Sequence, residues 1–203
     1  MIRCINNPKG NTLTLISKKH ETACVVLNLV GDSAERDIEI HMKPSEDSRL
    51  FVVILVQLNG NSSYTIRSFQ RHTSKQSTSD LLCKSLVRDT SFFHFEGTIT
   101  IDTTGAHSHA YQKNDNLILS SEGRVVSEPK LEIEAHEVFC THGSTTGYLS
   151  EDEQYYLSTR GVSQQQVEDL IAAGFLRSGI QKLLEAGITL SEVESLYGRA
   201  GLV

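Results

Sequence analysis

Residues 37–58 read DIEIHMKPSEDSRLFVVILVQL, and they establish the pattern that governs most of the chain. Residues 37–42 alternate polar and apolar side chains, as a strand with one buried face does. The next residues, from Pro44 to Asp47, are typical of a turn. Leu50 to Leu58 is nearly all apolar, which indicates a strand covered on both faces. Two strands joined by an irregular turn are therefore predicted within this stretch.

The same pattern extends in both directions, from Thr12 to about Thr141, with turn-forming residues roughly every dozen positions. A sandwich, a barrel and a β-solenoid all give such a pattern, and periodicity alone does not choose between them. The Thr- and Ser-rich composition of the strands mildly favours a solenoid whose coils stack in parallel. The predicted strands are 12–16, 23–30, 37–42, 50–58, 64–71, 79–87, 92–101, 107–112, 116–119, 130–134 and 137–140.

The sequence changes character after Gly147, where the alternation stops and helix-capping patterns begin. Each pattern has the form Ser/Thr-x-x-Glu/Gln, and each is followed by apolar residues at helical spacing. We expect three or four short amphipathic helices, which must lay their apolar stripes on the β unit or on a partner. The chain is thus divided into a β core, 1–149, and a helical segment, 150–203. The capping patterns begin at Ser150, Ser163, Ser178 and Thr189, and the glycines expected to end helices are Gly161, Gly174, Gly187 and Gly198.

Composition excludes some classes of function. The net charge is −6 and no basic run is present, which argues against binding to nucleic acid or to an anionic membrane surface. No apolar stretch has the length of a secretory signal or a bilayer span, so we expect a cytoplasmic protein. Cys24 and Cys83 lie in apolar strand-like sequence, where a cysteine usually packs as a small hydrophobic residue.

Two clusters of metal-compatible side chains stand out, His107 with His109 and Cys140 with His142; His136 lies nearby. Residues i and i+2 of a strand face the same side, so each pair should point together. A thiolate with an imidazole suits zinc or iron–sulfur chemistry. The signal is weak by itself, because the paired spacing of a structural zinc site is missing, and such pairs are more often explained by ordinary packing or surface exposure.

Catalytic motifs are poorly supported. There is no Gly-x-Ser-x-Gly elbow, and the glycine-rich residues 143–147 lack the lysine of a phosphate loop. We interpret residues 143–147 as a turn leading into the helices. The chain is therefore expected to be neither an ATPase nor any other enzyme.

The segment from Gln112 to Phe175 resembles the C-terminal part of the SufB/SufD family of iron–sulfur cluster assembly proteins. Three blocks of residues and one upstream strand carry the resemblance, and the β pattern back to about Thr12 is compatible with the family's core. The blocks are Gln112-x-Asn114-x-x-Leu117-Ile118-Leu119-Ser120, Pro129-x-Leu131-Glu132-Ile133-x-Ala135-x-x-Val138-x-Cys140-x-His142-Gly143-x-Thr145-x-Gly147 and Tyr155-Tyr156-Leu157-x-x-Arg160-Gly161, and the strand is Phe93-x-Phe95-x-Gly97-x-Ile99.

Within the family the chain resembles the SufD type, which carries Cys-x-His-Gly where Cys140 to Gly143 stand here. SufB-type members have a cysteine at about the position of Ile133, and that thiol is implicated in holding the nascent cluster. Its absence argues against cluster building by this chain alone. Two departures are an expected lack of the family's long N-terminal helical region, and Ser144 where alanine is usual.

The resemblance implies a parallel β-helix core followed by a C-terminal helical segment that binds the ATPase SufC. It also implies pairing with SufB or with a second copy through the end of the β-helix. Cys140 and His142 would lie at that junction as candidate ligands of a transient iron–sulfur cluster or of iron, with no cofactor tightly bound to the isolated chain. The residues expected to bind a partner are Tyr155, Tyr156, Leu157, Arg160, Leu170 and Phe175.

A different class of function is also compatible with the sequence: a β-solenoid that acts on carbohydrate or binds metal. In that case His107, His109 and His142 would be surface ligands. Such a protein needs a long acidic or aromatic groove, and the sequence has no tryptophan. A metal bound stoichiometrically to the isolated chain would favour this alternative.

Overall fold

The computed structural model describes residues 2–201, and these form a parallel β-solenoid followed by helices. Consecutive strands alternate between two sheets, and every pairing is parallel, with orders β1-β3-β5-β7-β9-β11 and β10-β8-β6-β4-β2. The predicted parallel β-helix is confirmed. The strands are β1 Ile2–Asn6, β2 Thr12–Ser17, β3 Thr22–Asp32, β4 Glu35–Pro44, β5 Arg49–Asn59, β6 Ser63–His72, β7 Thr78–Val87, β8 Phe92–Ile101, β9 His109–Ile118, β10 Arg124–Ile133 and β11 Phe139–Tyr148.

The space between the two sheets, called the lumen below, holds the main core. Alternate residues of each strand point into it, among them Ile38, Ile40 and Met42, which are fully buried. The offset between register partners varies: Val25 pairs with Val52, whereas Leu81 pairs with Gln112. Because these offsets differ between coils, no strict sequence repeat arises.

Three strand predictions need correction. Residues 109–118 form one strand, although a break between residues 112 and 116 was expected. Strand β1 was not foreseen. Residues 143–147 belong to β11 and are not a turn, because their backbone pairs in register with residues 113–117 of β9. The pairing supplies backbone hydrogen bonds that local sequence does not reveal.

The helical segment consists of α1 Glu151–Ser158, α2 Gln164–Gln181, a 3₁₀ helix Lys182–Ala186 and α3 Leu190–Arg199. Ser150, Ser163 and Thr189 cap their helices as predicted, each accepting a hydrogen bond from the backbone three residues on. The prediction for Ser178 is wrong: it lies inside α2 and its hydroxyl donates to the carbonyl of Phe175.

Two of the four glycines expected to end helices do so. Gly161 and Gly187 adopt positive φ where α1 and the 3₁₀ helix end. Gly174 lies inside α2, which continues because its apolar residues keep contact with the sheet. Gly198 lies within α3, one residue before its end.

Helices α2 and α3 cover the outer face of the six-stranded sheet. Leu176 and Ile180 of α2 and Val193 of α3 pack with Val26 and Leu55 of the strands in a second core. Helix α1 buries no residue completely. The sheet, not an external partner, thus receives most of the apolar stripe of this segment. Within residues 2–201, no helix combines the length and the apolar character needed to cross a lipid bilayer.

Candidate functional site at the last coil

The last strand of the six-stranded sheet, β11, positions Cys140 and His142. It pairs with β9 along one edge, so that Cys140 stands beside Ala110 and His142 beside Gln112. Ala110 and Gln112 are both buried in the lumen, at 1% exposure. Since side chains alternate along a strand, Cys140 and His142 project from the same side of β11, towards the open end of the lumen.

Cys140 and His142 differ in environment. The Cys140 side chain is half-buried and packs against an apolar cluster that contains Ile99, Ile101 and Ala110. Burial raises the pKa of the Cys140 thiol, so the thiol is protonated at neutral pH unless a metal ion displaces the proton. His142 is exposed. The structure therefore presents one recessed sulfur and one accessible imidazole.

The opposite wall of the open end comes from β10, the last strand of the second sheet. Leu131 and Ile133 face the lumen in register with Ile99 and Ile101, which are fully buried. Leu131 is nevertheless 38% exposed and Ile133 is 44% exposed, because no further coil within residues 2–201 stacks on them. Exposed apolar surface thus lines the β10 side of the same end of the solenoid.

The donor set at this end is compatible with an iron–sulfur cluster as cargo but does not complete a site. Sulfur and nitrogen donors suit iron and zinc. Within residues 2–201, however, no group of three or more His, Cys, Asp and Glu side chains converges. The remaining ligands would have to come from another molecule or from the cluster's own sulfides.

His107 and His109 do not form the expected pair. His107 lies in the turn before β9 with a positive φ, where strand alternation does not apply, and its ring is 3.4 Å from Glu137. The His109 ring lies tilted against the Phe139 ring, with centroids 5.7 Å apart. His136 lies exposed in the corner between β10 and β11. The histidines expected for a surface metal or carbohydrate site therefore do not converge with His142.

Cys24 and Cys83 are buried in the two cores, as predicted for packed thiols. Burial raises the pKa of Cys24 to about 11 and that of Cys83 further still. Both thiols are enclosed by the cores, so neither faces the open end of the lumen or solvent.

A polar network inside the lumen was missed from the sequence. His72 contacts the hydroxyls of Ser77 and Ser79 at 2.7 Å each, and Gln70 donates to the Ser79 hydroxyl at 2.8 Å. Gln112 continues the network, donating to Gln70 Oε1 at 3.2 Å. The signal was the run Ser68, Gln70, His72, which places polar residues at the positions of β6 that face inward.

The residues expected to bind a partner occupy a mostly exposed surface of α1 and α2. Tyr155 is 73% exposed, Tyr156 58% and Leu170 59%. Leu157 is half-buried, and the Arg160 guanidinium lies 5.3 Å from the centre of the Tyr156 ring. Tyr156, Leu157 and Ile171 line a groove of about 350 Å³ between the helices, with Asp152 and Glu153 at its rim.

Phe175 is turned towards the sheet instead. It is half-buried in the second core, and the Lys84 ammonium lies 4.0 Å from the centre of its ring. Lys84 in turn is 3.4 Å from Asp115 on the neighbouring strand. Phe175 therefore anchors α2 on the sheet and contributes little to the exposed surface.

Comparison with known proteins identifies the family of the chain. The family model described as "SUF system FeS cluster assembly, SufBD core domain" matches residues 10–175. The chain is 28% identical over 160 residues to the iron–sulfur cluster assembly protein SufD of Escherichia coli, an alignment that covers 79% of this chain and 38% of that protein.

Two further relatives show the same family. A SufBD family iron–sulfur cluster assembly protein of Synechocystis is 34% identical over 94 residues, 46% of this chain and 21% of the relative. SufD of Bacillus subtilis is 27% identical over 117 residues, an alignment that covers 58% of this chain and 27% of that protein. The chain thus spans less than two fifths of the length of these relatives. With a β-solenoid core and a family match over most of its residues, the chain belongs to the SufB/SufD family of SUF iron–sulfur cluster assembly proteins and is SufD-like.

Proposed function

We propose that the chain is a non-catalytic scaffold subunit of the cytoplasmic SUF machinery, and that it presents Cys140 and His142 to a nascent iron–sulfur cluster. The observation that carries the proposal is the placement of both side chains on the lumen side of the last strand, at an open end. A thiol and an imidazole supply two soft donors there. The cluster is cargo, held in transit while a second subunit supplies the other ligands.

Pairing through the open end would complete the site. Leu131 and Ile133 expose apolar surface beside β11, whose outer edge has unpaired backbone groups. Apolar surface rimmed by polar groups and an unpaired strand edge are features of protein–protein contacts. The partner would be a SufB-like subunit or a second copy of the chain.

The ATPase SufC would dock on α1 and α2. The exposed Tyr155, Tyr156 and Leu170 form an apolar surface with a groove beside it, and Asp152 and Glu153 give its rim negative charge. Aromatic side chains of this kind commonly dominate binding energy. A partner segment with apolar residues flanked by basic ones would fit this surface. Movement of the ATPase would then reach the rigid solenoid through α2, which is anchored on the sheet.

Docking is tested by co-purification with SufC. Deletion of residues 150–203 would also strip the second core, so surface substitutions are the sharper test. We expect Tyr155→Ala, Tyr156→Ala and Leu170→Ala together to weaken binding at least tenfold, about 1.4 kcal/mol. The control is Ile16→Ala, which changes another exposed residue far along the chain, 62% exposed. Unchanged binding by the triple variant would refute docking at this surface.

The ligand role is tested with His142→Ala. We expect cluster assembly by the reconstituted complex to fall while the melting temperature stays within about 2 °C, because loss of an exposed side chain changes stability little. Assembly is followed by absorbance of the cluster. Normal cluster assembly by His142→Ala would show that His142 is not a ligand. A large loss of stability in this variant would show that His142 has a structural role.

A further inference from the structure

Beside His142, the lumen holds a buried acceptor that has no donor. Gln112 is 1% exposed, and its side-chain oxygen Oε1 is one of the few buried polar atoms of residues 2–201 without a hydrogen-bond partner. A buried acceptor without a donor is costly, and such an atom in a folded protein calls for a physical reason.

The orientation of the Gln112 amide is fixed by its neighbours. Gln70 Nε2 donates to the carbonyl of Tyr111 at 3.1 Å and to the Ser79 hydroxyl at 2.8 Å, so Gln70 Oε1 faces Gln112 as an acceptor. Gln112 must therefore turn its Nε2 towards Gln70, at 3.2 Å, and Nε2 also donates to the Ser68 hydroxyl. A flipped amide would set two oxygens against each other. The side-chain atom of Gln112 that lacks a hydrogen-bond partner is therefore the oxygen, Oε1.

Among the two register neighbours of Gln112, one side chain is able to donate to that oxygen. The Ser68 hydroxyl already accepts from Gln112 Nε2, and the Ser127 hydroxyl lies beside Phe95, not beside Gln112 or Gly97. Gln112 is flanked in register by Leu81 on one side and His142 on the other. Across the lumen the amide lies against Gly97, where an added Cβ would come within 2.2 Å of Oε1. The neighbours of Gly97 are Ser68 on β6 and Pro129 on β10. Leu81, Gly97 and Pro129 have no side-chain donor, whereas His142 has a ring N–H.

We propose that Gln112 is a positioning residue for His142, accepting a hydrogen bond from one ring nitrogen and so leaving the lone pair of the other free for iron. Strand neighbours lie roughly 5 Å apart, within reach of this bond. The bond is not formed in the arrangement observed here. His142 is exposed, so rotation of its side-chain torsions can form the bond without moving the backbone.

The proposal deepens the proposed function, since it rests on His142 as a ligand. Histidine ligands commonly donate their second ring nitrogen to an acceptor, which fixes tautomer and orientation. A solvent-exposed imidazole without such an acceptor would meet a cluster in either tautomer. Gly97 also gains a role, because only glycine leaves room for the Gln112 amide to cross the lumen.

The test is the tautomer of His142 in the isolated 203-residue chain, read from the ring ¹⁵N shifts by NMR in mildly alkaline buffer. We expect the ratio of the two neutral tautomers in the wild type to be about five times the ratio in Gln112→Met. Methionine keeps the length of the side chain but lacks the acceptor. Ser68→Ala is the matched control, since it removes a partner of Gln112 Nε2 and leaves Oε1 in place; it should retain the wild-type ratio.

The outcomes separate the two proposals. The same tautomer ratio in wild type and Gln112→Met, or a ratio changed equally by Ser68→Ala, would overturn the positioning role. If Gln112→Met does not fold, a wild-type His142 with the mixed tautomers of free imidazole overturns it as well. Failure of His142→Ala to affect cluster assembly would instead refute the ligand role and leave the tautomer measurement standing.

Discussion

At the scale of single residues, His72 shows how the lumen controls ionisation. Its ring is fully buried and makes hydrogen bonds to two serine hydroxyls, both of which are neutral partners. Burial lowers the pKa of His72 to about 4. A neutral imidazole can bond both hydroxyls, because it donates from one nitrogen and accepts at the other.

The shift of His72 predicts acid sensitivity. In the unfolded chain the ring takes up a proton near pH 6.5, whereas in the folded chain it stays neutral down to about pH 4. The unfolded state therefore binds more protons in this window, and the free energy of unfolding falls as the pH falls, by about 3 kcal/mol from this residue.

Denaturant unfolding at several pH values measures the effect. His72→Gln should flatten the dependence between pH 6.5 and 4, while His136→Gln, at an exposed corner, should retain the wild-type slope. An unchanged slope in His72→Gln would contradict the assignment to this imidazole.

At the scale of elements, α2 has two faces with different tasks. Leu176 is 1% exposed and packs on the sheet, whereas Leu170 on the same helix is 59% exposed. The helix approaches closely: a Cβ at Gly179 would come within 3.2 Å of Leu55 and 3.1 Å of Lys84. One face of α2 is thus committed to the fold and the other is available.

The two leucines give a matched pair of substitutions. Leu176→Ala should lower the free energy of unfolding by about 2–5 kcal/mol, because it leaves a cavity in the second core. Leu170→Ala should change it by less than about 0.5 kcal/mol, since solvent already reaches that side chain. Chemical denaturation compares them. Equal losses would mean that α2 does not lie on the sheet as described.

At the scale of the whole molecule, the solenoid has an end that no further coil of the described residues covers. Leu131 and Ile133 are exposed only because they belong to β10, the last strand of the five-stranded sheet, since their register partners one coil earlier are fully buried. Surface of this kind is either covered in an assembly or promotes aggregation. The proposed pairing accounts for it.

Pairing is tested with Leu131→Glu combined with Ile133→Glu. Carboxylates at these positions should weaken association with a SufB-like subunit, or self-association, at least tenfold, about 1.4 kcal/mol, in sedimentation experiments. Val126→Glu is the control, because Val126 lies on the outer face of the same strand and is 39% exposed. Equal weakening by the control would place the contact elsewhere.

The sequence by itself determined that the core consists of β-strands followed by helices, and its resemblance to the SufB/SufD family supplied the parallel β-helix. The alternation of polar and apolar residues indicated which face of each strand is buried, and capping residues such as Ser163 indicated where helices start. The Cys-x-His spacing alone was enough to predict that Cys140 and His142 lie on one side of a strand. These features are local, so they can be recognised in a short stretch of chain.

Only the tertiary structure decided the rest. Parallel pairing with β9 makes residues 143–147 a strand, contact with the sheet carries α2 through Gly174 and Ser178, and a turn separates His107 from His109. The Gln112 amide depends on a glycine across the lumen. The physical reason is the same for each of these features. The residues that each segment or side chain contacts lie about one coil or more away along the chain, so a short stretch of sequence does not reveal them.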